Sequence, residues 1–466
     1  MENNKLTEGS ITGKLVRLAL PIMATSFVQV AYNMTDMIWL GRVGTKAVAA
    51  SGTAGFFTWF ASALFMIPKI GAEVGVAQSI GREDMESARK FASNTLKLST
   101  VIAIIYSFIL IIFRHQIIGF FNLGDMEVID MAVDYLVIIA LGFVFFFLNP
   151  VFSGIFNGSG DSDTPFRINS AGLVTNMILD PLMIMGIGPF PEMGVRGAAY
   201  ATIIAQFIVT SIFVYASRKR NNLFKDLNIL RIPFDKECIR VIFKLGLPSS
   251  VQQGIFSGIG MVLARIIAQW GPTAVAAQKV GNQVESISWM TAAGFSTAIS
   301  AFIGQNYGAE KWDRIRKGYR KGLQIVGAIG VFATILLIFG AGPLFRFFIP
   351  DDPEALNIGV RYLRILGLSE ILMTFEIASR GAFNGIGRTI PPSVVGVVFN
   401  AMRIPMALVL SSTSLGLDGV WWTITISSML KGLVLTIWYI IVLKQILIIN
   451  PVLKVYICIL VQRIFV

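Results

Sequence analysis

The sequence predicts an all-α integral membrane fold: twelve transmembrane helices in two pseudo-symmetric six-helix lobes. Three observations predict it. Apolar residues make up 55% of the chain and charged residues only 14%, against about 25% charged in a soluble domain, and the mean hydropathy is +0.70. Apolar runs long enough to cross hydrocarbon, about 20 residues each, recur along all 466 residues. The second half of the chain also repeats the first at a fixed offset, the signature of a duplicated architecture.

In chain order, spans are expected at 15–40, 47–75, 91–113, 129–153, 166–188 and 194–216. Six more follow at 241–268, 274–303, 318–345, 358–383, 390–412 and 418–443. Helices are required, because an open strand in lipid leaves its backbone groups unpaired. The expected domains are a lobe over 1–216, a polar linker over 217–240, a second lobe over 241–443, and an apolar tail over 444–466. Asn450, Pro451 and Lys454 interrupt the tail, which reads as an interfacial helix. The loops after even-numbered spans carry the basic residues: Arg82, Arg89 and Lys90; Arg218, Lys219, Arg220, Lys225 and Arg231; Lys311, Arg314, Arg316, Lys317 and Arg320. The positive-inside rule therefore expects a multi-pass protein of the inner cell membrane with both termini cytoplasmic.

The repeat has an offset of 227 residues. It lays Pro21 on Pro248, Gln78 on Gln305, Gly81 on Gly308, Asn157-Gly158 on Asn384-Gly385, and Pro165 on Pro392. A five-residue deletion then realigns Gly194 with Gly416. Six spans per half is an even number, so both halves enter the membrane in the same sense. Transporters built on such parallel repeats bind substrate near the midplane between the halves.

Carboxylates inside apolar spans are rare and mark function. Asp36 lies in span one with Asn33 and Tyr32 on the same helical face, and Asp180 lies in span five with Asn176 one turn before it. Pro181 removes a backbone donor beside them. Two carboxylates and two amides supply hard oxygen ligands for a small cation such as sodium at Asp36, Asn176 and Asp180; the same set could instead hold a proton. The repeat partners of Asp36, Asn176 and Asp180 are Leu263, Arg403 and Ala407, so the set belongs to the first half alone. Glu73 with Lys69, and Glu376 with Arg380, read as i, i+4 ion pairs, with Arg403 placed to join the second. Met66 and Met290, with Gln252, Gln253, Glu376 and Arg403, are candidates for lining an adaptable substrate cavity.

Leu20-Pro21, Asn33…Asp36, Gly44…Ala47-Val48-Ala49-Ala50, Ala77-Gln78…Gly81, Phe156-Asn157-Gly158…Asp161 and Asn176…Asp180-Pro181 occur in this order along the chain. With the repeat, they resemble the multidrug and toxic compound extrusion (MATE) family of secondary transporters, in its prokaryotic members, over roughly 10–445. The resemblance implies a V-shaped pair of lobes and antiport of small organic, often cationic, compounds (drugs, dyes, toxic metabolites) against sodium ions or protons. It adds Asn157 and Thr202 to the coupling set and leaves the second half without the acid that some members carry in span seven. It also allows a related class, flippases of lipid-linked oligosaccharides. A phosphate-binding loop is absent, as are HExxH and GxSxG, and there is one histidine. The chain is therefore expected to be no enzyme, to need no cofactor beyond its coupling ion, to bind no nucleic acid despite its net charge of +12, and to work as a monomer.

Overall fold

A computed structural model of the chain describes residues 5–121, 123–220, 232–349 and 352–464. Every regular element among them is helical. The first half contains α1 (Ile11–Val43), α2 (Thr45–Gly81), α3 (Met85–Ile112), α4 (Arg114–Gly119), α5 (Met126–Leu141), α6 (Phe143–Gly158), α7 (Asp163–Ile184) and α8 (Gly194–Arg220). The second contains α9 (Lys236–Ile267), α10 (Pro272–Gly308), α11 (Trp312–Phe339), α12 (Ala341–Phe348), α13 (Pro353–Gly367), α14 (Glu370–Gly385), α15 (Ile390–Ala401), α16 (Arg403–Ser411) and α17 (Leu417–Ile464). Ten helical stretches among the described residues are long and apolar enough to cross a membrane. The two remaining expected spans are α7, whose apolar run is diluted by Asp163, Arg167 and Asp180, and the α13–α14 pair, which is broken at Leu368-Ser369 into helices of 15 and 16 residues, each too short to cross alone. Residues 221–231 of the expected linker lie outside the described residues. Span twelve does not stop at 443, because α17 continues through Pro451 to Ile464.

The 227-residue offset reappears in the backbone. Helices α2 and α10, and α3 and α11, begin and end on repeat mates, and the break between α5 and α6 at Gly142 corresponds to the one before α14 at Ser369. Gly44 and Gly271, which join the first two spans of each half, have φ of 139° and 91°, values that a side chain disfavours. The non-glycine residues with positive φ among the described residues, Glu83 and Glu310, are also mates.

The halves meet reciprocally at the end of the molecule that carries the basic loops. Gln78 Nε2 donates to the Gly385 carbonyl at 2.9 Å, and its mate Gln305 Nε2 donates to the Gly158 carbonyl at 3.0 Å. A Cβ on Gly81 would lie 2.0 Å from the Gln305 carbonyl oxygen, and one on Gly308 2.0 Å from that of Gln78. Only glycine permits this approach. The N-terminal ends of α1 and α9 are exchanged across the seam: Leu15, Leu18 and Ala19 pack among Phe295, Ile299 and Tyr439, while Ile242 and Leu245 pack on Ile67, Ile70 and Val74. Residues 5–9 close over the same end. The Leu6 amide donates to Gln305 Oε1 at 3.0 Å, and Arg314 donates to the Leu6 and Gly9 carbonyls at 3.1 and 3.0 Å.

Candidate functional site

Helix α1 packs against α7 and α8, which brings the first-half residues together. Asp180 is fully buried and Asn176 is 2% exposed. Asp36 is close enough to Asp180 and to Tyr32 for the charges to act on one another. The Tyr32 hydroxyl and Thr202 Oγ1 share a hydrogen bond at 3.3 Å. Asp36 Oδ1, both oxygens of Asp180 and both side-chain atoms of Asn176 are buried without a hydrogen-bond partner; the Asn176 amide faces Asp180 but falls short of hydrogen-bond geometry. None of the ion pairs among the described residues uses Asp36 or Asp180. The Asn33 side chain lies outside the described residues.

Two placements differ from expectation. Asn157 is not beside Asp180. It precedes Gly158, whose carbonyl is held by Gln305 at the seam, whereas Asn176 stands thirteen residues along α7 from that end, about 20 Å at 1.5 Å per residue. Span four returns to the seam before span five begins, so the order of motifs along the chain did not imply proximity. Tyr135 of α5 was missed. It is buried within electrostatic reach of Asp36, Tyr32 and Asp180, and its only sequence signal is a lone phenol in an aliphatic helix.

A cavity of about 360 Å³ runs between these ends. Its lining includes Gln29, Tyr32, Asn176 and Thr202 toward the buried acids, and Lys69, Ser153, Asn157 and Asn169 toward the seam. Phe65, Phe146, Leu173 and Met290 supply apolar wall. Of the expected substrate residues, only Met290 lines it. Met66 packs with Ile70, Val74 and Leu245, and Gln252 lies against Gly396. Gln253 is not among the lining residues. Glu376 and Arg403 are buried in the second half. Glu376 pairs not with Arg380 but with Lys431 of α17, at 3.6 Å, and Arg403 donates to Ser427 and Ser428 at 2.5 and 3.0 Å. Tertiary packing offered Glu376 a closer partner than its own helix did. Lys69 and Glu73 make no contact ion pair among the described residues, although they lie within electrostatic reach of each other. No cluster of three or more His, Cys, Asp or Glu that could hold a metal occurs among the described residues.

Paired lobes from a parallel repeat, with buried acids beside a cavity, define a polytopic membrane protein of the secondary-transporter kind. The comparisons identify the family. The MatE family model matches residues 21–182 and again 248–409, two copies set 227 residues apart, and the chain belongs to this family. It is 31% identical over 415 residues to the probable multidrug resistance protein NorM of Thermotoga maritima, covering 88% of each chain. It is 28% identical over 426 residues to the probable multidrug resistance protein YoeA of Bacillus subtilis, covering 90% of this chain and 91% of that one. Its fold matches the outward-facing conformation of a multidrug resistance MATE family transporter of the MOP superfamily with a TM-score of 0.87, at 24% identity, covering 96% and 98% of the two chains.

Proposed function

We propose that the chain is a secondary active exporter of small organic compounds, driven by sodium ions or protons that bind at Asp36, Asn176 and Asp180. The observation that carries this reading is the buried, unpartnered oxygen set of Asp36 and Asp180. A buried carboxylate without a counter-charge is expensive, and the cost is offset when a proton or a hard cation occupies the site. Two carboxylates with an amide, and a hydroxyl from Thr202, are donors for such an ion rather than for a transition metal. The names of the relatives support export of drugs. The cavity beside the acids supports binding of a compound of modest size; a lipid-linked oligosaccharide would need far more room.

The reading assigns the basic end to the cytoplasm. On that reading the closed seam is a shut cytoplasmic gate. Ion binding weakens substrate binding, and by linkage substrate weakens ion binding by the same factor. Asp36→Asn should insert and fold normally yet lose gradient-driven efflux in proteoliposomes with independently imposed sodium and pH gradients. Unimpaired efflux by that variant would remove Asp36 from the coupling site.

A further inference from the structure

The cavity's charge points away from cationic substrates. Lys69 is the only charged residue among those lining it. Asp36 and Asp180 are not in the lining, so the negative charge of the coupling site stands behind Asn176 and Tyr32 rather than facing the bound molecule. Among the described residues the lysine makes no contact ion pair and no side-chain hydrogen bond; Glu73, one turn further along α2, is within electrostatic reach of it but is buried away from the cavity and outside its lining. Its stem is held in place. A Cβ on Gly154 of α6 would stand 3.5 Å from Lys69 Cγ and 2.9 Å from its carbonyl oxygen, so α6 passes close beside the lysine between Ser153 and Asn157. Asn157 Oδ1 is also without a partner, and Asn169 donates to Ser153 at 3.2 Å. At this end of the cavity an ammonium group therefore stands among amides and a hydroxyl, with the aromatic wall of Phe65 and Phe146 adjoining it.

We infer that Lys69 anchors an acidic group of the substrate, and that the cavity takes an organic anion with an aromatic or apolar body. An ammonium that faces a partly desolvated cavity, with its neighbouring carboxylate turned away from it, attracts a carboxylate, sulfonate or phosphate oxygen and repels a cation. The inference rests on the exporter reading only for its transport arm, since the cavity can be tested by binding alone.

The test uses fluorescein, an anion, and rhodamine 123, a cation on the same ring frame, with the purified full chain in nanodiscs. Fluorescence polarisation is expected to show fluorescein bound at least tenfold more tightly than rhodamine 123. Lys69→Gln should weaken fluorescein binding about tenfold and leave rhodamine 123 unchanged or tighter, while Lys69→Arg keeps most of the affinity. A merely structural lysine would weaken both dyes alike, so that result would overturn the inference. So would tighter binding of the cation, no detectable binding of fluorescein, or fluorescein binding that ignores Lys69→Gln. Gradient-driven efflux of both dyes is measured in parallel. Lys69-dependent fluorescein binding without efflux would refute the exporter reading and leave the cavity inference standing; efflux of rhodamine 123 alone would do the reverse.

Discussion

Lysines in the membrane-spanning helices have contrasting fates. Lys69 faces a cavity with no contact ion pair, whereas Lys431 is buried against Glu376 at 3.6 Å. Glu376 also lies within electrostatic reach of Arg403, whose guanidinium is held by Ser427 and Ser428. Removing one member of such a buried pair strands the other charge, at a cost of about 3–5 kcal/mol, while removing both is often neutral. Lys431→Met should therefore lower the thermal unfolding midpoint clearly, and Glu376→Gln combined with Lys431→Met should recover most of the loss. If the double variant is as unstable as the single one, the pair is not the reason. Nothing in the sequence near Glu376 announced Lys431, because fifty-five positions separate them and Arg380 stood nearer along the chain.

The elements begin and end on local chemistry. Asp125 opens α5 by accepting from the Glu127 amide, and its mate Asp352 opens α13 by accepting from Glu354 and Ala355. Side-chain oxygens at this position satisfy the free amides of a first helical turn. Asp125 has an added partner in Lys46, at 2.9 Å, whose ammonium holds the Asp125 carboxyl below the usual carboxylate range. A lowered folded-state value means a stabilising contribution that is present above the unfolded pKa of about 3.9 and lost as pH falls through the folded value. Asp125→Asn retains the cap and removes the charge. Its thermal midpoint should lie slightly below that of the parent at pH 7, and the two should converge at about pH 3 and below. A gap that persists in acid would assign the effect to packing.

At the scale of the whole molecule, the duplicated plan is used twice for structure and once for chemistry. The Gln78 and Gln305 bonds are related by the repeat and hold the halves together at one end. Each is worth about 1 kcal/mol, so Gln78→Ala or Gln305→Ala should shift the balance away from the closed seam by about fivefold, and the double variant by about 25-fold. Spin-label distances between Glu86 and Asp313, exposed mates on either side of the seam, report this directly; an unchanged distance distribution would mean that the glycine approach alone holds the seam. The chemistry is asymmetric. Where the first half buries Asn176 and Asp180, the second has Arg403 and Ala407, although Tyr135 and Tyr362 remain matched.

Hydropathy, loop charge and the 227-residue repeat were enough to establish the helical membrane fold, its twofold plan and the unusual acids of spans one and five, because each follows from the cost of placing polar groups in lipid and is written locally along the chain. Side-chain partners were not recoverable this way. Lys431 for Glu376, Tyr135 beside the acids, the separation of Asn157 from Asp180 and the exposure of Lys69 to the cavity all depend on how far apart helices lie and which faces they turn to one another. Those distances are fixed by close packing between helices, above all where glycines let backbones touch, and helical periodicity says which residues share a face but not what that face will meet.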